Sequence, residues 1–594
     1  MSGTDAQEIP ESRNATPRAE AGYIGDRMRP QFAWLHRPGD ASAEIGLVIV
    51  PPFGYEAVCS RRALRHLGED AAKAGMLAVR VDLDGTGHSA GSDLDSRRLQ
   101  AWISSVHEAC DLLRSEGATR IVLVGVRLGA MVAALAGVER QDVCGLVAIA
   151  AVTSGKAWLR ECRMLQMSLN LAADPHGSAD ADGADMAEVV GFALTGETRE
   201  ALAKIDLSGS DLRPADQVLL IERNDMPLNK AWSLRLAALG IDVRTVQLPG
   251  YAQMVLDPHH AKVPRAIIDA TIGFAAGTHP PPHALPPPAA SKLRERVDMP
   301  FGGRCVAEEA VALDPSMSAI VSWPRTAADH AVILLNAGAI GNAGPNRLYV
   351  ELARRLADSG HLVMRLDISG IADSPARAGQ AENTVYGPHA IADVGMAVEW
   401  VRAAGARRVS VAGLCSGAYH ALKAALAGKP IDRIIVINPL TFNYVPGMPL
   451  DYSASRLTEE VSRYAESVKS TDSWKKLLRG EVNLPRLVRV LLYRTFMYLR
   501  HKLQDAMRWL PFRLGEDLGR DLLDLARRGV AMHFVFAASD PGHTMLREQG
   551  GSAIDALLAR QQLQITVVDG PDHTFTARWT HEPLLGILTE ALGP

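Results

Sequence analysis

The sequence contains no run of about 18 or more apolar residues, so no transmembrane helix is expected. Its first residues, MSGTDAQEIPESRNATPRAE, lack an apolar core of the secretory type and are rich in Ser, Pro and Glu. They read as a disordered tail over 1–20 and not as a signal peptide. Cysteine is sparse: Cys59, Cys110, Cys144, Cys162, Cys305 and Cys415 form no CxxC pair, no Cys/His cluster and no disulfide framework. Structural zinc is not expected, and a cytoplasmic protein with free thiols is the simplest reading. The formal net charge is -4, without the basic stripe that nucleic acid would require. No GxxxxGK[ST] loop is present, so neither a nucleotide cofactor nor a metal is expected.

What is there is an ordinary globular balance, 47% apolar and 22% charged, over 594 residues, more than one core usually supports. The proline run THPPPHALPPPAA favours an extended spacer and marks a boundary, placed at 278–302. It separates residues 21–277 from 303–594, and both halves carry the same signals in the same order, as an old duplication would. An apolar run ends in a Gly loop, IGLVIVPPFGYE in one half and HAVILLNAGAIGN in the other. A helical segment follows, then VRVDLDGTGHS and VMRLDISGIADS, then a long amphipathic helix. Last comes a buried strand running into a turn, IVLVGVRLG and VSVAGLCSG. Apolar strands alternating with helices predict, in each half, an α/β fold with a mostly parallel sheet covered on both faces.

The turns point to chemistry. A nucleophile elbow is a strained strand-to-helix turn with glycines two residues before and after its tip, where backbones pass closely. In the second half Gly413 and Gly417 centre on Cys415. Ser416 is the rival, but its flanking positions are Leu414 and Ala418. A cysteine nucleophile needs a histidine base, and this fold supplies nucleophile, acid and base in that chain order. The strand in MHFVFAASDPGH ends near Asp540, and LQITVVDGPDHTF carries His573 just past the next strand. Asp540 is the expected acid and His573 the expected base. Asp569 and Asp572 compete as acids but lie close to His573 in sequence, and His543 competes as base. The expected oxyanion donors are the amides of Ser416 and of Ala339, the latter in the loop after Leu335. In the first half the tip is Arg127, which cannot be a nucleophile. Asp225 stands at the acid position, and Tyr251 where the histidine would be, with His259 and His260 expected on the following helix. That half is expected to be catalytically inactive. Arg127 either clamps an anion or pairs with a nearby carboxylate.

Both halves resemble the α/β-hydrolase superfamily. The first is similar to hydrolase-like proteins associated with exosortase and exopolysaccharide gene clusters, through Pro51-Pro52-Phe53, Ser60-Arg61-Arg62, Asp82-Leu83-Asp84-Gly85, the elbow with Arg127, and Val152-Thr153-Ser154-Gly155-Lys156. The second has a cysteine elbow similar to those of dienelactone hydrolases and polyester synthases. That resemblance implies acyl chemistry on an ester or thioester, with coenzyme A or a carrier protein as candidate carriers. Helical cap insertions are expected near 157–213, this one partly loop-like, and near 443–528, the latter with a basic amphipathic stretch over 482–512. This stretch reads either as a solvated cap face or as a surface for a membrane or an acidic carrier. Three functions stay open: a Cys-dependent acyl hydrolase, an acyltransferase using the same cysteine, and a non-catalytic binding or assembly protein. The first half is expected to pack on the second or to form an oligomer contact.

Overall fold

A computed structural model describes residues 17–39, 43–168, 186–281, 284–448, 499–500, 502–508 and 515–593. The chain forms two compact units, Met1–Leu169 with Ala181–Val311, and Asn170–Asp180 with Ala312–Pro594.

The first unit carries β1 (Arg18–Ile24), β2 (Gln31–Arg37), β3 (Ile45–Val50), β4 (Leu77–Val81), β5 (Arg120–Val126), β6 (Val143–Ile149), β7 (Met186–Val189), β8 (Phe192–Thr195), β9 (Gln217–Arg223) and β10 (Asp242–Leu248). Eight of these form one sheet in the order β1-β2-β4-β3-β5-β6-β9-β10, and β7 and β8 make a separate hairpin. From β4 to β10 every pairing is parallel; β1 and β2 close the edge antiparallel. Strand alternation divides the core in two. Val48, Val50, Ile121 and Leu123 face one layer with Trp102, Val106 and Leu113 of helix Arg98–Ser115. Leu47, Ile49, Val122 and Val124 face the other, under Leu64 and Leu67 of helix Tyr55–Lys73 and Ile267 and Ile268 of helix Arg265–Ala276.

The second sheet has β11 (Arg296–Phe301), β12 (Arg304–Asp314), β13 (Met317–Trp323), β14 (His330–Leu335), β15 (Leu362–Asp367), β16 (Arg408–Leu414), β17 (Arg433–Ile437), β18 (Ala531–Ala537) and β19 (Leu563–Val568). Its order is β11-β12-β13-β15-β14-β16-β17-β18-β19, parallel from β15 onward. The swap that sets β4 before β3 recurs as β15 before β14. The repeated DxxGxxxS loops also do the same work. Ser89 donates to the carbonyl of Asp82 and accepts from the Phe32 amide; Ser374 donates to the carbonyl of Asp367 and accepts from the Ser318 amide. Each serine ties a parallel strand's end to the antiparallel strand beside it. Helices Leu348–Asp358 and His581–Leu592 cover one face of the sheet. Helices Ala390–Ala403 and Ser416–Leu426 pack on each other and on the strands.

Four boundaries differ from the sequence reading. The tail expected over 1–20 gives way to β1 at Arg18; residues 1–16 lie outside the described ones. β1 escapes notice because only its far end, Gly22, Tyr23 and Ile24, is buried, while Arg18 and Glu20 face solvent. The spacer expected over 278–302 ends in β11, where Val297 and Met299 alternate with polar Arg296 and Asp298. The first cap, expected to be helical, includes the β7–β8 hairpin between helices Gly155–Ser168 and Gly196–Ala203. Most of the second cap, and most of the basic stretch over 482–512, lies outside the described residues. Its last piece, Leu518–Arg527, is no cap. It buries Leu518, Leu522 and Leu525 and packs beside β18 as the helix leading into that strand. Among the described residues no helix is long and apolar enough to cross a membrane.

Candidate active site

The sequence forces a sharp turn where β16 meets the next helix. Cys415 has φ 59° and ψ -115°, a conformation strained for any residue with a Cβ. A Cβ on Gly413 would meet the Gly417 backbone at 2.3 Å, and one on Gly417 would meet the Leu335 carbonyl oxygen at 2.8 Å. Only glycine allows strand, helix and the β14 loop to converge here. The Cys415 amide donates to the carbonyl of Ile437 (2.9 Å), which fastens the tip to the end of β17. The side chain of Cys415 is half-buried.

The serine beside it points elsewhere. Ser416 is buried; its hydroxyl accepts from the Gly338 amide (2.9 Å) and donates to the Asn336 carbonyl (3.4 Å). It clasps the β14 loop. Ala339, in that loop, lies in an apolar cluster with Val385 and Tyr386. The Ser416 amide lies in the first helical turn, where backbone N–H groups have no intrahelical acceptor.

Asp540 and His573 come together. The Asp540 carboxylate is buried, accepts from the Gly542 amide (2.8 Å), and holds Nδ1 of His573 at 2.6 Å. Burial works against a charged imidazole, but the charge of Cys415 and the bond to Asp540 outweigh it, and the pKa of His573 rises to about 10. Asp540 thus holds His573 through Nδ1, and Cys415 lies close enough to the imidazole to act on its charge. The rival acids are occupied or remote. Asp572 accepts from the Thr576 amide and from the Thr574 and Thr576 hydroxyls, while Asp569 is exposed. His543 packs its ring on Phe536, with centroids 5.4 Å apart.

Two neighbours carry no sequence signature. Asn438, fully buried with φ 42°, donates to the carbonyl of His573 (2.7 Å) and accepts from the Ala537 amide (2.8 Å). It ties the His573 loop to the end of β18. Tyr386 reaches the site from the long loop after β15 and packs its ring against Tyr419 and His420 of the helix that Cys415 caps. Neither residue belongs to a spaced motif; the positive φ, which asparagine tolerates well, shows only in the structure.

The first unit repeats the elbow with Arg127 at its tip. Arg127 has φ 54° and ψ -120°, and its amide donates to the Ile149 carbonyl (3.0 Å) as Cys415 does to Ile437. Its guanidinium is taken up by Glu56 (3.2 Å) and Glu161 (2.5 Å). Tyr251 donates to the same Glu56 oxygen (2.7 Å). Asp225 pairs with Arg223 (2.8 Å), which holds its carboxyl below the usual range, and Arg223 lies over the Tyr251 ring at 4.9 Å. Arg127 therefore has the paired-carboxylate environment and not an open anion clamp. His259 and His260, expected on a helix, sit in a turn, because the helix does not start until Arg265. Among the described residues no cluster of His, Cys, Asp and Glu could hold a metal ion.

Residues 56–176 match the family model described as serine aminopeptidase, S33; the tip of the elbow within that segment is Arg127. None of the curated proteins matches the chain. Among solved structures, Est1E from Butyrivibrio proteoclasticus is 19% identical and covers 43% of this chain and 99% of its own, with a TM-score of 0.32. A bacterial brefeldin A esterase, titled a homologue of human hormone sensitive lipase, is 18% identical and covers 46% and 80%, with a TM-score of 0.30. Proline iminopeptidase from Mycobacterium smegmatis is 13% identical and covers 43% and 98%, with a TM-score of 0.30. Strand order, the paired elbows and the family match together give the chain's architecture: two α/β-hydrolase folds in tandem.

Proposed function

We propose that the second unit is an acyl hydrolase that works through Cys415, His573 and Asp540 on an ester or thioester. The observation that carries this reading is a thiol at a strained elbow beside a histidine that a buried carboxylate holds at 2.6 Å. His573 takes the thiol proton, and the sulfur attacks the acyl carbon. The carbonyl electron pair moves to oxygen, toward the amides of Ser416 and Ala339. Collapse expels the alcohol or thiol, which leaves with the proton from His573. Water, deprotonated by His573, then cleaves the acyl-cysteine. The first unit is not hydrolytic in this reading, since Arg127 and Tyr251 replace nucleophile and base. All six cysteines are free, which suits a reducing compartment such as the cytoplasm.

The test is intact-protein mass spectrometry after brief exposure to acyl-coenzyme A thioesters and p-nitrophenyl esters. Wild type is compared with Cys415→Ala and Ser416→Ala. An acyl adduct lost only in Cys415→Ala is expected. No adduct and no turnover with any substrate in wild type would turn the reading to a binding protein. Acyl transfer to added alcohols or amines in preference to water would make it an acyltransferase.

A further inference from the structure

The cap of the first unit holds a cavity that neither elbow uses. Helix Gly155–Ser168, the β7–β8 hairpin and helix Gly196–Ala203 line a space of about 550 Å³. That volume lies in the range of small-molecule sites. Leu159, Cys162, Val189 and Leu194 supply its apolar part, and among the described residues no aromatic ring lines it. Gln166 accepts a hydrogen bond from the Val190 amide (2.8 Å), which joins two of the walls.

Helix Gly155–Ser168 also carries an unusual outer stripe. At 3.6 residues per turn, Lys156, Arg160, Arg163, Met164 and Met167 fall within an arc of about 100°. All five are exposed, Met164 by 71% and Met167 by 74%. Met186, at the start of β7, is exposed as well. The helix has one acid, Glu161, which lies off the stripe and is held by Arg127 (2.5 Å). Among the described residues no carboxylate pairs with Lys156, Arg160 or Arg163. Arg163 and Met167 belong to both features, since they lie on the stripe and line the cavity. The other charges on the lining are Glu188, Arg199 and Glu200, from β7 and helix Gly196–Ala203. Glu188 and Arg199 already have partners. The three cations of the stripe outweigh what is left.

We propose that this cavity binds an anionic single-chain amphiphile. Its alkyl chain lies among Leu159, Cys162, Val189 and Leu194, and its acid group sits on Arg163 and Arg160. An apolar space without aromatic rings offers nothing for a planar ring to stack on, but it suits a flexible chain. Methionine, unbranched and polarisable, adapts to such a chain at the mouth. Guanidinium groups meet a carboxylate or phosphate through paired N–H donors. A free fatty acid and an anionic membrane lipid share this chemistry. No bond is made or broken, and the site does not depend on Cys415.

The experiment labels the full-length chain with palmitic acid that carries a mid-chain diazirine. After irradiation and digestion, the peptides spanning 155–168 and 186–203 are read by mass spectrometry. Both are expected to carry label, and unlabelled palmitate is expected to compete better than hexadecanol. Leu194→Trp, which fills the cavity, is expected to remove the label. In the double variant Arg160→Gln, Arg163→Gln the label is expected to fall about tenfold, the worth of a hydrogen bond to a charged group, and palmitate to lose its advantage over hexadecanol. Both arginines are exposed, so this variant carries the test if Leu194→Trp melts early. Cys415→Ala is expected to leave the cap label unchanged, which separates this site from the elbow of the second unit. Vesicles are the second arm. Sedimentation of wild type with phosphatidylglycerol vesicles, and not with phosphatidylcholine vesicles, assigns the amphiphile to a membrane; cap label without sedimentation assigns it to the free acid. No label on the two cap peptides, or label undiminished in the double variant, overturns the proposal. A dimer that Met164→Ser dissociates, with no label at the cap, overturns it too and makes the stripe an interface between copies.

Discussion

Replacing Asp540 with asparagine isolates one bond in a buried place. The carboxylate side chain has no exposure, holds Nδ1 of His573 at 2.6 Å and accepts the Gly542 amide at 2.8 Å. Asparagine nearly preserves the volume and can keep the Gly542 bond through its carbonyl. What it removes is the negative charge facing the imidazole. A hydrogen bond to a charged partner is worth about 1.5–3 kcal/mol, and about 1.4 kcal/mol is a factor of ten. The charged state of His573 should therefore lose about one to two powers of ten in stability. The amide N–H can also turn toward Nδ1 and favour the wrong tautomer, so the acylation rate should fall further, by about 10²–10⁴ in total. The assay is kcat/KM for p-nitrophenyl acetate, with thermal melting to check the fold. The melting temperature should shift by only a few degrees, since no buried charge is left unpaired. A folded Asp540→Asn protein with kcat/KM within threefold of wild type would refute the assignment of Asp540 as the group that orients His573.

Further outcomes follow from the same geometry. Gly413→Ala forces a methyl to 2.3 Å from the Gly417 backbone and should cost about 2–4 kcal/mol in urea unfolding of the second unit. Ser416→Ala removes the clasp on Gly338 but not the sulfur, so turnover should drop by about tenfold or less while the acyl adduct persists. Arg127→Ala removes the cation between Glu56, which keeps the Tyr251 hydroxyl, and half-exposed Glu161, and should destabilise the first unit by only about 1 kcal/mol, with adduct formation at Cys415 unaffected. Burial lowers the pKa of His330 to about 4 and that of His420 to about 3, both below the unfolded value of about 6.5. The unfolded chain binds the extra protons between those limits, so stability is full above pH 6.5 and lost as pH falls through 4 toward 3. Denaturant midpoints at pH 7, 5 and 4 should fall in that order; a flat series would contradict it.

Much of the architecture was legible because its causes are local. Continuous apolar strands, the Gly-x-x-x-Gly turns and the strand ends before Asp540 and His573 each mark the chain directly. The misreadings have physical reasons as well. β1 and β11 are hairpin strands that bury few side chains, so their alternation is faint beside charged and proline-rich neighbours. Helix Leu518–Arg527 was grouped with the cap because amphipathicity shows that a helix has a buried face but not which layer that face meets. Asn438 meets His573, and Tyr386 meets Tyr419 and His420, through contacts distant in sequence that no spacing rule encodes.

The two elbows also separate architecture from chemistry. Arg127 holds the same positive-φ backbone as Cys415, although its side chain pairs with two carboxylates. Strain of this kind is usually read as stored for catalysis. Here it persists with an arginine at the tip, so the sheet-to-helix joint itself demands it, through glycine contacts that leave no other path for the chain. The tip is a socket whose shape is set by the scaffold and whose occupant is free to vary. A thiol, a hydroxyl or a guanidinium can be mounted there without rebuilding the domain, and the neighbours then decide whether the mounted group reacts or merely braces the fold.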